Sequence, residues 1–171
     1  MADSTVLPLR ENEVHASSAA NRRQRVQGPV EFSAGLLRTL DVPSADVRLL
    51  ALAAACESQG QDLFALPTVK GGDGGKAWLS STAMLERTNW CNDVLWGNAD
   101  FGLKAYDPLA WAKRHGVTPQ KAAEAYLDLL LQTDGGAKAR DAVLHAGRDG
   151  TADAPRKALQ LIVHCPEYQL A

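Results

Sequence analysis

Lys70-Gly71-Gly72-Asp73-Gly74-Gly75-Lys76 comes closest in this chain to a recognisable piece of chemistry. Successive backbone N–H groups freed by glycine, with a lysine at either end, suit an anion such as phosphate. A nucleotide loop of the Walker type, however, needs a glycine where Lys70 stands and a Ser or Thr where Ala77 stands. No apolar strand runs into the segment either, so it reads as a turn that packs Trp78 onto neighbouring helices. The other reactive types are scattered. His164-Cys165 with His145 and His115 are metal-ligand types, but adjacent helical residues point about 100° apart, so at most one of that pair could join the others on an ion. Cys56 has no His or other base within helical reach and reads as a small buried hydrophobe rather than a nucleophile. No metal and no cofactor is expected.

Bulk properties narrow the class. The 171 residues suit one domain, and 46% hydrophobic with 22% charged is ordinary globular composition. Eighteen basic against 20 acidic residues provide no global field for nucleic acid or an anionic membrane. Three cysteines without a close pair argue against a disulfide framework and for reduced thiols. No apolar run approaches the roughly 20 residues that span a bilayer, and no basic-then-apolar leader opens the chain. The default expectation is therefore a cytoplasmic protein. Arg22, Arg23 and Arg25 lack the interleaved aromatics of an RNA-binding arm.

The elements that would position these groups are helices. Residues 1–27 carry few large apolar side chains and read as a flexible arm; residues 28–171 read as a single helical domain. Pro29 opens a helix with Val30, Ala34 and Leu37 on its face and Phe32, Leu36 and Leu40 beside them. Ser44 is the expected cap of a second, Ala-rich helix facing inward through Val47, Leu50 and Ala54. The Gly/Pro-rich stretch 60–78 follows, an ordered loop anchored by Leu63, Phe64, Leu66 and Val69. Ser80 and Ser81 cap the next helix, whose stripe is Met84, Thr88, Cys91 and Leu95, with Arg87, Asn89 and Trp90 off its centre; Gly97 stops it. Asp107-Pro108 and Thr118-Pro119 each open a helix. The first holds Trp111, and the second turns Ala123, Tyr126, Leu127 and Leu130 inward. Two more helices span Ala137 to Ala146 and Pro155 to His164, the last with Ala158, Leu159, Ile162 and Cys165 as its stripe. No strand-type alternation occurs. The expectation is an all-α, irregular bundle of about six or seven helices around the 60–78 loop.

QGPVEFSAGLLRTL, GQDLFALPTVKGGDGGKAWLSSTAMLERTNW and RKALQLIVHCPEYQLA carry a resemblance. In order and rough spacing they are similar to the C-terminal portion of the uncharacterised bacterial family called domain of unknown function 1800, over most of Arg25 to Ala171. The family usually has a double proline before its Val-Lys-Gly, where this chain has Leu66-Pro67. It has a Trp after that Gly, where this chain has Gly72, and Lys-Ser before its PVE segment, where this chain has Gln27-Gly28. Its longer N-terminal helical part is absent, which implies a truncated member. The resemblance also implies a protein partner, because genes of this family often neighbour those of an uncharacterised family related to sulfatases and alkaline phosphatases.

Two functional expectations follow. The first is a helical protein-interaction or structural module that docks a partner through the Phe64, Trp78 and Trp90 side, recognition surfaces being rich in aromatics. The second is a fragment of an enzyme whose active site needs the missing N-terminal half. For that reading, the positions matching the family's motifs put forward Lys70, Asp73, Arg87 and Glu167, a carboxylate and a base needing to lie within about 3 Å of each other's proton. Without a catalytic constellation in the sequence, the balance leans away from an enzyme.

Overall fold

The computed structural model describes residues 25–63, 65, 74–131 and 136–170. Seven α-helices follow one another: α1 Pro29–Thr39, α2 Leu49–Ser58, α3 Ser81–Trp96, α4 Pro108–Arg114, α5 Ala122–Leu131, α6 Ala137–Gly147 and α7 Ala154–His164. Short 3-10 turns occupy Ser44–Asp46, Gly75–Leu79, Pro119–Lys121 and Pro166–Gln169. Among the described residues there is no strand, only two isolated antiparallel bridges, Val26 with Leu170 and Asn98 with Leu103. The all-α expectation holds.

Local chemistry explains most boundaries. Ser80 Oγ accepts from the Ala83 N–H at 3.2 Å and starts α3. Asp107 Oδ1 accepts from the N–H groups of Leu109 and Ala110 and starts α4, with Pro108 at the first helical position. Gly97 ends α3 at φ 87°, and a Cβ there would stand 2.7 Å from the Ala105 nitrogen, so only glycine fits. The Glu31 carboxylate accepts from the Gly28 N–H at the start of α1, one half of a capping box whose other half glycine cannot supply.

Helix α7 is the hub, packing against α3, α4, α5 and α6. Its Ala158, Leu159, Ile162 and Val163 are fully buried, which follows from an apolar stripe at helical spacing. Cys165, expected to end that stripe, is only half buried. Gly147 lets α6 close onto α5 and α7: a Cβ there would lie 2.6 Å from the Ala123 Cβ and 3.7 Å from that of Ala158. The α5 face of Ala123, Tyr126 and Leu127 is buried as expected, with Ala122 and Leu131 joining it.

Two helices are turned relative to the expectation. Helix α2 begins at Leu49 rather than after Ser44, and it faces inward through Ala55 and Cys56, leaving Leu50 and Ala54 outside. Every residue from Leu49 to Cys56 is apolar, so the period carries no preference for a face. The ends decide it. The Gln59 amide is buried and donates to Ser33 Oγ and to the Ala55 carbonyl, both at 2.9 Å. At the other end Arg48 donates to the Asp100 carbonyl at 3.2 Å and its N–H to that of Phe101. Helix α3 buries Ala83, Arg87, Trp90, Cys91, Val94 and Leu95, whereas Met84 and Thr88 are half buried and Leu85 is exposed. Its inward face is therefore rotated toward Arg87 and Trp90, because both find specific partners inside.

Candidate functional site

Three segments singled out in the sequence converge on one junction. The Trp78 ring lies over Gly28, where an added Cβ would be 3.2 Å from two ring carbons, and it borders Gly60 and Gly74 at 3.9 Å. Gln61 Oε1 accepts from the Val30 N–H at 3.2 Å, tying the exit of α2 to the first turn of α1. Residues 25–27, assigned to the arm by composition, belong to this junction. Arg25 pairs with Glu31 at 2.6 Å, the Gln27 N–H donates to the Gln169 carbonyl at 3.0 Å, and Val26 bridges Leu170.

Arg87 sits at the centre of the junction with 1% of its surface exposed. Its guanidinium donates to Gln169 Oε1 at 3.0 Å and to the Gln27 carbonyl at 2.5 Å, and lies 4.8 Å over the Phe32 ring. Phe32 in turn meets the Tyr168 ring edge-on at 5.5 Å. Burial pushes the Arg87 pKa down, an effect partly opposed by the nearby Cys91 thiol. Five donors in a rigid fork suit two oxygens from opposite ends of the domain. The residue is thus a buried clasp between the start of the described chain at Gln27 and the last 3-10 turn at Gln169. Glu167, the other described member of the proposed polar set, lies half buried in the last 3-10 turn, where it accepts from the Cys165 thiol. Lys70 and Asp73 lie outside the described residues.

The expected partner side divides in a similar way. Trp90 is 2% exposed, packed edge-on against Phe101 at 5.9 Å, and is a core residue unavailable to a partner. Trp78 is half buried and reaches the surface, and Phe64 lies outside the described residues. Large apolar side chains are exposed in the segments around Trp78: Leu63 at 43%, Leu79 at 43% and Leu85 at 58%. At the head of α2, Leu49 is 75% and Leu50 84% exposed.

One acid–base pair was not foreseen. His115 Nε2 lies 2.6 Å from Asp41 Oδ2, across 74 positions of sequence, and the imidazole stacks on Trp111 at 4.4 Å. Asp41 holds φ 53°, the left-handed region, at the end of α1. A cleft of about 200 Å³ adjoins it, lined by Asp41, Asp46, Lys104, Tyr106, Asp107 and Arg114 among others. Tyr106 lines it, and its hydroxyl lies 3.1 Å from that of the buried Tyr126, which donates to the Pro108 carbonyl. Burial raises both phenol pKa values, so these hydroxyls stay protonated. Lys104 is paired with Asp46 at 3.3 Å, and Asp107 is occupied as a cap. The sequence signal for His115 was its place at the end of α4; nothing local pointed to Asp41.

Among the described residues no group of three His, Cys, Asp or Glu could hold a metal ion. Cys56 and Cys91 are buried thiols whose pKa values burial raises, which makes them poor nucleophiles. No helix among the described residues is long and apolar enough to cross a membrane.

These features define an all-helical domain in which buried polar groups tie residues 25–27 to the last 3-10 turn and several large apolar side chains between positions 49 and 85 are exposed. The chain belongs to the family described as Protein of unknown function (DUF1800), whose model matches residues 8–170 and so takes in all three segments that carried the resemblance. No curated protein and no solved structure matches the chain.

Proposed function

We propose that this domain is a helical protein-interaction or structural module that receives a partner on the side running from α2 past Trp78 to the first turns of α3. One observation carries the reading. Of the nine large apolar side chains exposed among the described residues, five (Leu49, Leu50, Leu63, Leu79 and Leu85) fall between positions 49 and 85. Concentrated apolar exposure beside a half-buried tryptophan is what a docking surface presents. The partner implied by the family resemblance is a protein of the sulfatase-related group. A photo-crosslinking residue placed at Leu79 or Leu85 in cells is expected to capture a discrete partner band, while the same residue at Leu129 or Leu161 captures none. Equal labelling at all four positions would end this reading.

A second reading is favoured by the Asp41–His115 pair beside its cleft. The domain then contributes a proton-transferring half-site to an enzyme whose remaining groups come from further polypeptide. Asp41 orients the imidazole, and the other ring nitrogen is left to exchange a proton. Addition of the crosslinked partner, followed by a hydrolase and esterase substrate screen of wild type and His115→Gln, tests it. Activity that the substitution does not change rules it out.

A further inference from the structure

We infer that the outward stripe of α2 is a self-complementary dimer interface, crossed antiparallel by α2 of a second copy. This rests on the interaction reading above and deepens it, giving the α2 face to self-association and leaving the Trp78 side for another partner.

The stripe follows from helical spacing. Leu50, Ala54 and Glu57 fall at i, i+4 and i+7 with Ala53 beside them, opposite the inward Ala55 and Cys56. Leu50, Ala54 and Glu57 are exposed and Ala53 is half buried. An antiparallel twofold between positions 53 and 54 sets Leu50 of each copy against Glu57 of the other and Ala53 against Ala54. Small residues at the centre let the two axes come close, at the short end of the roughly 8–10 Å range. Each leucine then covers the partner's alanine and the aliphatic stem of its glutamate.

Charge complements the same arrangement. Helix α2 has Arg48 at its N-cap with no side-chain cap and no acidic residue in its first turn. In contrast α3 and α4 are capped by Ser80 and Asp107. Among the described residues no side chain caps the positive end of α2, and the antiparallel pairing delivers the carboxylate of Glu57 to it from the other copy. Its helix is 10 residues long, about 15 Å. One such pair covers less than the roughly 800 Å² per partner of a standard interface. The dimer is accordingly weak and in exchange with monomer.

Sedimentation equilibrium of the full chain from about 5 to 500 µM reads the exchange directly. The average mass is expected to climb from monomer toward dimer. Leu50→Glu should hold it at monomer with the thermal melt unchanged, because the side chain is already in water, and Glu57→Gln should weaken association about 3- to 30-fold, one helix-end interaction being lost per copy. Leu129→Glu, an exposed leucine elsewhere, should change nothing. Ala54→Cys, beside the twofold, should form an oxidised covalent dimer that Leu129→Cys does not. A monomer mass across the whole range overturns the inference, and so does a dimer that survives Leu50→Glu. Crosslinks at Leu79 and Leu85 in a strictly monomeric protein would overturn only the dimer and keep the interaction module. A Leu50-dependent dimer without those crosslinks would support the stripe and remove the Trp78 side.

Discussion

The α5–α6–α7 layer and the α2 side are both rich in Leu and Ala, yet one is closed and the other open. In the first, the alanines and Gly147 serve contact: Ala123, Ala158 and Gly147 bring three helix backbones together, and Leu127, Leu131, Leu159 and Ile162 fill the space between. In the second, the same residue types face water. Leu50 is almost fully exposed, Ala54 beside it is exposed and Ala53 is half buried. Composition sets how much apolar surface a helix carries. Whether that surface is core or interface depends on which neighbours the chain folds against it.

The contrast can be broken hardest from the closed side. Ile162→Ala or Leu159→Ala removes a fully buried side chain and should cost about 2–5 kcal/mol, read as a lower midpoint in denaturant with an unchanged slope. Arg87→Ala comes next. It leaves the Gln27 carbonyl and Gln169 Oε1 without their donor, at about 2–4 kcal/mol, and the amides of Val26 and Leu170 should exchange with solvent earlier than the rest. Arg87→Lys is expected to recover little, since one ammonium cannot span both oxygens in the same plane. Gly147→Ala forces a methyl against Ala123, about 1–3 kcal/mol by overpacking. A Gly147→Ala protein as stable as wild type would show the layer to be looser than its geometry.

Changes at the open side should leave the monomer nearly untouched. Glu31→Gln tests the exposed entry of the chain. The Arg25 guanidinium holds the Glu31 carboxyl below its ordinary range, so this contribution exists above the unfolded pKa and fades as pH falls through the folded one. Thermal melts of wild type and Glu31→Gln should differ slightly at pH 7, by a few tenths of a kcal/mol at most, and converge toward pH 3. Smallest of all, Leu50→Ala should move the monomer's stability by less than about 0.5 kcal/mol. A larger loss would mean that the α2 face is covered within one chain and would erase the comparison.

Legibility followed the kind of signal each residue carries. Ser80, Asp107-Pro108 and Gly97 were readable because a cap or a left-handed turn is a property of a few adjacent residues. The faces of α5 and α7 were largely readable because polar residues interrupt their apolar ones. The face of α2 was not, because its apolar run is unbroken. Arg87 drew notice through its family-motif position, but as a candidate for chemistry, and its work as a clasp depends on Gln27 and Gln169, 60 and 82 positions away. Asp41 and His115 gave no hint of each other for the same reason.

By itself, then, the sequence determined the helical class, most of the places where helices begin and end, and the family. Those are written in local backbone preference, in short motifs and in a periodicity of 3.6. Only the tertiary structure decided that Trp90 and Arg87 are interior, that residues 25–27 are clasped to the last 3-10 turn, and that Leu49 and Leu50 of α2 are left in water. Burial and charge pairing are relations between segments distant in the chain, and no window of sequence contains both partners.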